Sequence, residues 1–177
     1  DKEEYQSMAA ELSFEDLDGQ AHSLPAIIDS GAARCCLRKD PLDKYFPQHA
    51  KRLQPTDKRF HDASKSIMPV RGTITIEFWI GKCKLNCQMF VFDKLSVPIL
   101  IGTSALMRNG LIINAKERTL YTTTTDNQPR CSVPLQCTRN DQVKPHILLA
   151  SDTMEPTPGQ APISQTKRIQ EAKLSWT

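Results

Sequence analysis

Hydrophobic and polar residues alternate most cleanly at "TITIEFWI" (73–80), a period of two that predicts a half-buried strand. Gly81-Lys82 supplies a turn, and "CKLNCQMFVF" (83–92) returns as a second strand. Upstream, "ELSFEDLDGQAHSLPAIID" (11–29) reads as two extended segments around Asp18-Gly19, a hairpin signal. "PILI" (98–101) is continuously apolar, as a strand buried on both faces requires. Thr103 or Ser104 can then cap a short helix, "SALMRN", which Gly110 ends. "LIIN" and "RTLYT" follow as strands around "AKE". Residues 40–53 carry Pro41 and Pro47 and predict no more than a broken helical turn. These elements describe an all-β domain with one short helix.

After Tyr121 the pattern changes. "TTTTDNQPR" and "SDTMEPTPGQAP" have linker composition, with "CSVPLQC" and "HILLA" as short edge-strand candidates between them. The closing stretch "SQTKRIQEAKLSWT" has weak helical spacing at Ile169, Ala172 and Trp176. The expected organisation is an N-terminal segment (1–10), one domain (11–123) and a connector or extension (124–177).

Composition narrows the function classes. A net charge of +3, from 23 basic and 20 acidic residues scattered along the chain, gives no basic patch for nucleic acid. No apolar run reaches the length of a membrane-spanning helix, and no signal peptide is recognisable. The first residue, Asp1, is not Met, so the chain reads as part of something longer. Cysteines 35, 36, 83, 87, 131 and 137 show no zinc-site spacing and are expected to be free thiols in a reducing compartment. His22, His49, His61 and His146 likewise lack metal-ligand spacing, so no metal and no cofactor is expected. Ser30 has no His and acid paired with it, which argues against a serine nucleophile.

The chemistry rests on Asp29. The apolar run "LPAII" ends in Asp29-Ser30-Gly31, putting a carboxylate at a tight turn. Gly31 allows close backbone approach, and Ser30 can hold the turn by a hydrogen bond. Alone, the tripeptide is also what an ordinary turn after a core strand looks like.

Its context is more specific. "AIIDSGAA" (26–33) and "PILIGTSALMRNG" (98–110) resemble the two motifs of retropepsin-like aspartic proteases, of the retroviral and LTR-retrotransposon type. The interval from Gly31 to Gly102 is near what such a domain needs. Ile101, Gly102, Leu106 and Gly110 fall in the family's register, and "LIINAKERTL" resembles its following strand and turn. The likeness covers about 10–123. Two departures go together: Ala33 and Thr103 stand where retroviral members often have an acid and a paired arginine, a pattern closer to the Gypsy class.

The resemblance implies a closed retropepsin-like β-barrel and an aspartic endopeptidase. Asp29 would be catalytic, with Ser30, Gly31 and Ala32 in its loop. Ala63, Ser64, Lys65 and Ile67 would form a substrate-covering flap, and Ile101 and Gly102 would support the loop in a psi-shaped crossing. Aspartic proteolysis needs two carboxylates sharing one proton, and the chain has one such motif. A homodimer with an Asp29 from each subunit is therefore implied. Substrates would be peptide junctions of its own Gag-Pol-type polyprotein, with polymerase domains downstream in cis, in the cytoplasm or in virus-like particles. Two other readings stay open: a non-catalytic or monomeric dimerisation or binding module of the same fold, and a host-domesticated retropepsin or a ubiquitin-pathway relative.

Overall fold

The structure, a computed structural model, describes residues 6–62, 64–123, 126, 129–139 and 151–153. The strands are β1 (Gln6–Glu15), β2 (Ala21–Ile28), β3 (Cys35–Arg38), β4 (Arg59–His61), β5 (Ile67–Met68), β6 (Val70–Ile80), β7 (Cys83–Phe92), β8 (Ile99–Ile101), β9 (Leu111–Asn114), β10 (Thr119–Thr123), β11 (Pro129–Pro134), β12 (Gln136–Arg139) and β13 (Ser151–Thr153). The helices are α1 (Lys39–Tyr45), α2 (Pro47–Ala50) and α3 (Thr103–Arg108). The all-β class expected from the alternation is what the chain adopts.

A seven-stranded sheet runs in the order β12-β1-β2-β8-β3-β7-β6. One paired position, Ser13 with Trp79, brings β6 back against β1. The hairpin signals are realised. Gly19 turns β1 into β2 at φ +75°, and Gly81 turns β6 into β7 at φ +57°. Two three-stranded sheets, β11-β10-β9 and β13-β4-β5, complete the pairing.

The sheet's centre explains the continuously apolar runs. Along β2, β8, β3 and β7 successive residues alternate between two core clusters. Ile28, Cys35, Met89, Val91, Ile99 and Ile101 enter one; Ile27, Cys36, Phe90, Phe92 and Leu100 enter the other. With both faces buried, polar alternation disappears from the sequence.

Three expectations need correcting. Three helices occur among the described residues where one was expected. Pro41 lies in the first turn of α1 and Pro47 at the start of α2, positions where a missing N–H costs little, so these prolines begin helices instead of preventing them. Neither Thr103 nor Ser104 caps α3; the N-cap is Gly102, without a side-chain cap bond, and the Thr103 hydroxyl is used elsewhere. Cys83 and Cys131 are joined in a disulfide, not free. Their separation of 48 carries no spacing signal, because only the fold sets β11 against the β6–β7 hairpin. Cys35, Cys36 and Cys87 are free and buried, and Cys137 is free and exposed. The edge-strand candidate "CSVPLQC" falls in β11 and β12: β11 pairs with β10, and β12 pairs with β1 from Gln6–Arg139 to Ala9–Gln136. "HILLA" and the closing stretch 164–177 lie outside the described residues.

Gly102 follows β8 at φ −100°, a conformation open to any residue, so space is what excludes a side chain. A Cβ there would lie 2.5 Å from the Arg34 carbonyl oxygen and 2.7 Å from that of Ala32. Both contacts are backbone and cannot swing away. Gly102→Ala is therefore expected to cost at least ~3 kcal/mol or to prevent folding, read from urea unfolding midpoints. Closing a loop of sequence separation 48, the Cys83–Cys131 bridge contributes about 4 kcal/mol in the chain-entropy account. Reduction, or Cys83→Ala with Cys131→Ala, should lower unfolding stability towards that amount; an unchanged midpoint would show the bridge absent in solution.

Candidate active site

Asp29 is the first residue past β2, and β8 explains its placement. The chain passes from β2 to β3 while leaving a gap, and β8 fills it, parallel to β2 (Ala26–Ile99 to Ile28–Ile101) and antiparallel to β3 (Cys36–Leu100, Leu37–Ile99). Ile101 is thus the last residue of β8, and Gly102 leads from it into α3. The Asp29 amide continues the ladder by donating to the Ile101 carbonyl at 2.9 Å.

The loop is held from both ends. Inside it, the Ala32 amide donates to the Asp29 carbonyl at 3.2 Å, and the Gly31 amide to Asp29 Oδ1 at 2.8 Å. From the α3 side, the Thr103 amide donates to the Ala32 carbonyl at 2.7 Å and the Ser104 amide to that of Ala33 at 3.1 Å. The Thr103 hydroxyl donates to the Ser30 carbonyl at 3.0 Å. Behind the loop, the Gly102 amide points at Cys35 Sγ, 3.4 Å away. The sequence marked Thr103 as a helix-cap candidate and as the place of an absent arginine, not as a holder of the loop, and it missed the thiol, since neither role leaves a pattern. Asn109 was missed too: its side chain accepts from the Asn86 amide and donates to the Asn86 and Ala105 carbonyls, tying the end of α3 to β7.

Asp29 has 0% of its surface exposed, while Ser30 is exposed, Gly31 half-buried and Ala32 buried. Burial penalises the carboxylate and pushes its pKa up to about 7, opposed by the Gly31 and Ala32 amides. Oδ2 is buried and meets no hydrogen-bond partner among the described residues. Beyond the Met8–Ile28 pair, the β1 register brings in Ser7, also buried, alongside this end of β2. The arrangement is a rigidly held, desolvated carboxyl that carries a proton near neutral pH, with one oxygen uncommitted. Among the described residues no group of His, Cys, Asp and Glu could hold a metal.

Of the residues expected in a flap, Ile67 lies in β5, and Ser64 and Lys65 lie in the turn that joins β4 to β5, paired Phe60–Met68 and His61–Ile67. The tip of this hairpin is built by Asp62, whose carboxylate accepts from the Ser64 and Ser66 amides, and by Lys65 at φ +65°. Lys65 thus takes a left-handed turn conformation usual for glycine. Ile67 is 65% exposed; Ala63 lies outside the described residues. The root of the hairpin is fixed by Phe60, fully buried with ring centroids 4.9 Å from Phe90 and 5.1 Å from Phe92. Phe60 shares its cluster with Ala32 and Leu100, so hairpin and Asp29 loop rest on one piece of core.

No family model matches the chain, and no curated protein matches it. Among solved structures, the retroviral protease-like domain of Ddi1 from Leishmania major superposes with a TM-score of 0.54 at 18% identity, over 73% of this chain and 94% of that one. A retropepsin-like aspartic protease from Rickettsia conorii gives a TM-score of 0.38 at 16% identity, over 75% and 95%. At these identities it is the architecture that is shared, and of these two the Ddi1 domain superposes closely enough to carry the point: the chain has a retropepsin-like fold.

Proposed function

We propose that this chain is an aspartic endopeptidase acting as a homodimer, with one Asp29 from each subunit. The observation that carries the reading is Asp29 itself: a buried carboxyl with a pKa of about 7 and an uncommitted Oδ2, at the end of β2 in a retropepsin-like fold. Two such groups brought together cannot both ionise, so one proton is shared between them. The ionised member takes a proton from water as it attacks the scissile carbonyl. The protonated member donates towards the carbonyl oxygen, and the pair then protonates the leaving amine. Because Asp29 has no exposed surface in one protomer, the loop bearing Ser30 to Ala33 must shift on assembly or substrate entry. The β4–β5 hairpin would cover an extended peptide and exclude water. Junctions of a Gag-Pol-type polyprotein are the proposed substrates, and the retropepsin of an LTR retrotransposon the proposed origin.

The complete burial of Asp29 favours a second reading, a binding module of the same fold that does not cut. Sedimentation with a peptide-cleavage assay separates the two: a dimer that cleaves supports the enzyme, a monomer inert towards peptides the module.

Asp29→Asn should abolish cleavage, by roughly 10³-fold or more, with the circular dichroism spectrum unchanged. Persistent cleavage by a folded variant would remove Asp29 from the mechanism. Wild-type cleavage should fade as pH rises above about 7, where the shared proton is lost. The same substitution has a consequence for folding that needs no activity. The carboxyl's pKa rises from 3.8 to about 7 on folding, so the folded state holds the proton more tightly. Stability is then full below about pH 4, declines as pH rises to 7 and is flat above. The whole decline is up to roughly 4 kcal/mol. Asn cannot ionise. Asp29→Asn should therefore unfold later than wild type at pH 8 and lose most of that advantage at pH 4, as denaturant titrations at the two pH values will measure.

A further inference from the structure

β4 is paired on both edges. One side carries β5; the other carries β13, antiparallel, in the register Ser151–His61, Asp152–Phe60, Thr153–Arg59. β13 is short, 3 residues long, and the segment 140–150 separates it in sequence from β12. Such a span can extend to roughly 36–40 Å, so β13 acts as a tethered ligand and not as a forced neighbour.

The alternation of strand hydrogen bonds says which of its amides matter. The Asp62 amide donates to the Ser66 carbonyl, so positions 60 and 62 turn their polar groups towards β5. Positions 59 and 61 then turn theirs the other way, and Thr153 and Ser151 are the residues that face them. An open strand edge accepts any extended backbone, with main-chain bonds supplying affinity. This edge belongs to the hairpin whose root shares a core cluster with the Asp29 loop.

We propose that the outer edge of β4 is a binding edge for extended peptides, held by main-chain hydrogen bonds, and that Ser151–Thr153 occupies it in cis as an intramolecular competitor. That the incoming peptide is also a substrate rests on the proteolytic reading; the binding edge does not. A tether of this length holds the segment at an effective concentration of about millimolar, while so short a ladder stays weak enough to be displaced. Peptides would therefore reach the hairpin only after the tail strand is released.

The test uses the full chain with Asp29→Asn, so that nothing is cut, and a fluorescein-labelled synthetic peptide of residues 147–155 read by anisotropy. Adding Ser151→Pro and Thr153→Pro removes the two amides that face β4. It should tighten peptide binding at least tenfold over the Asp29→Asn chain alone. Asp152→Ala, which keeps all three amides, should leave it within about twofold. Equal binding by the proline variant and its parent, or no binding by either, overturns the proposal. If the proline variant binds as expected but the same changes in the Asp29 chain yield no cleavage, the edge stands and the proteolytic reading falls. If the Asp29 chain cleaves peptides with the same KM whether or not the prolines are present, the enzyme stands and the cis competitor falls.

Discussion

The short strand β8 holds the architecture together. Ile99, Leu100 and Ile101 are buried and pair with β2 on one side and β3 on the other. They bridge two strands that are close in sequence but not bonded to each other. This wedge sets the separation of β2 and β3, and so the span that the Asp29 loop must cross. It also brings Gly102 against the carbonyls of Ala32 and Arg34, where only a hydrogen atom fits. The amides of Thr103 and Ser104 then fall within reach of the loop's carbonyls. The loop's shape is thus imposed from behind, by backbone contacts that side-chain variation cannot easily disturb.

A second constraint is electrostatic. Leaving Asp29 in an apolar, solvent-free position works against folding, and the amides of Gly31 and Ala32 offset only part of the cost. A chain selected for stability alone would place Asn or an apolar residue there. A desolvated carboxyl with one oxygen that meets no partner among the described residues is what supports the proposed role of Asp29.

Much of this was legible in the sequence, for identifiable reasons. The β6–β7 and β1–β2 hairpins have clean period-two faces and glycine turns, signals local enough to read directly. Gly102 stood out in the sequence within "PILIGTSALMRNG", and the crowding of the Arg34 and Ala32 carbonyls gives that glycine a physical reason. What failed to show was what depends on distant residues. The Cys83–Cys131 bridge joins strands that no local pattern connects, and Asn109's grip on Asn86 replaces a strand pairing by a side chain. β12 reads as polar because it lies at the edge of the main sheet, with Gln136 and Cys137 exposed. The prolines of α1 and α2 misled because the same residue ends a helix in its interior and begins one at its first turn.

The pairing of β12 with the beginning of β1 also governs how the chain comes together. Gln6 meets Arg139, so β1, made before the other described strands, keeps an open edge until the last described strand of the main sheet has emerged from the ribosome. β2 likewise waits for β8, with five strands made in between. Such far-apart partners make for slow, late closure and a nascent chain with exposed strand edges. The ends of the main sheet, lying side by side, are also where the chain could be joined and reopened elsewhere as a circular permutant without disturbing the wedge at its centre.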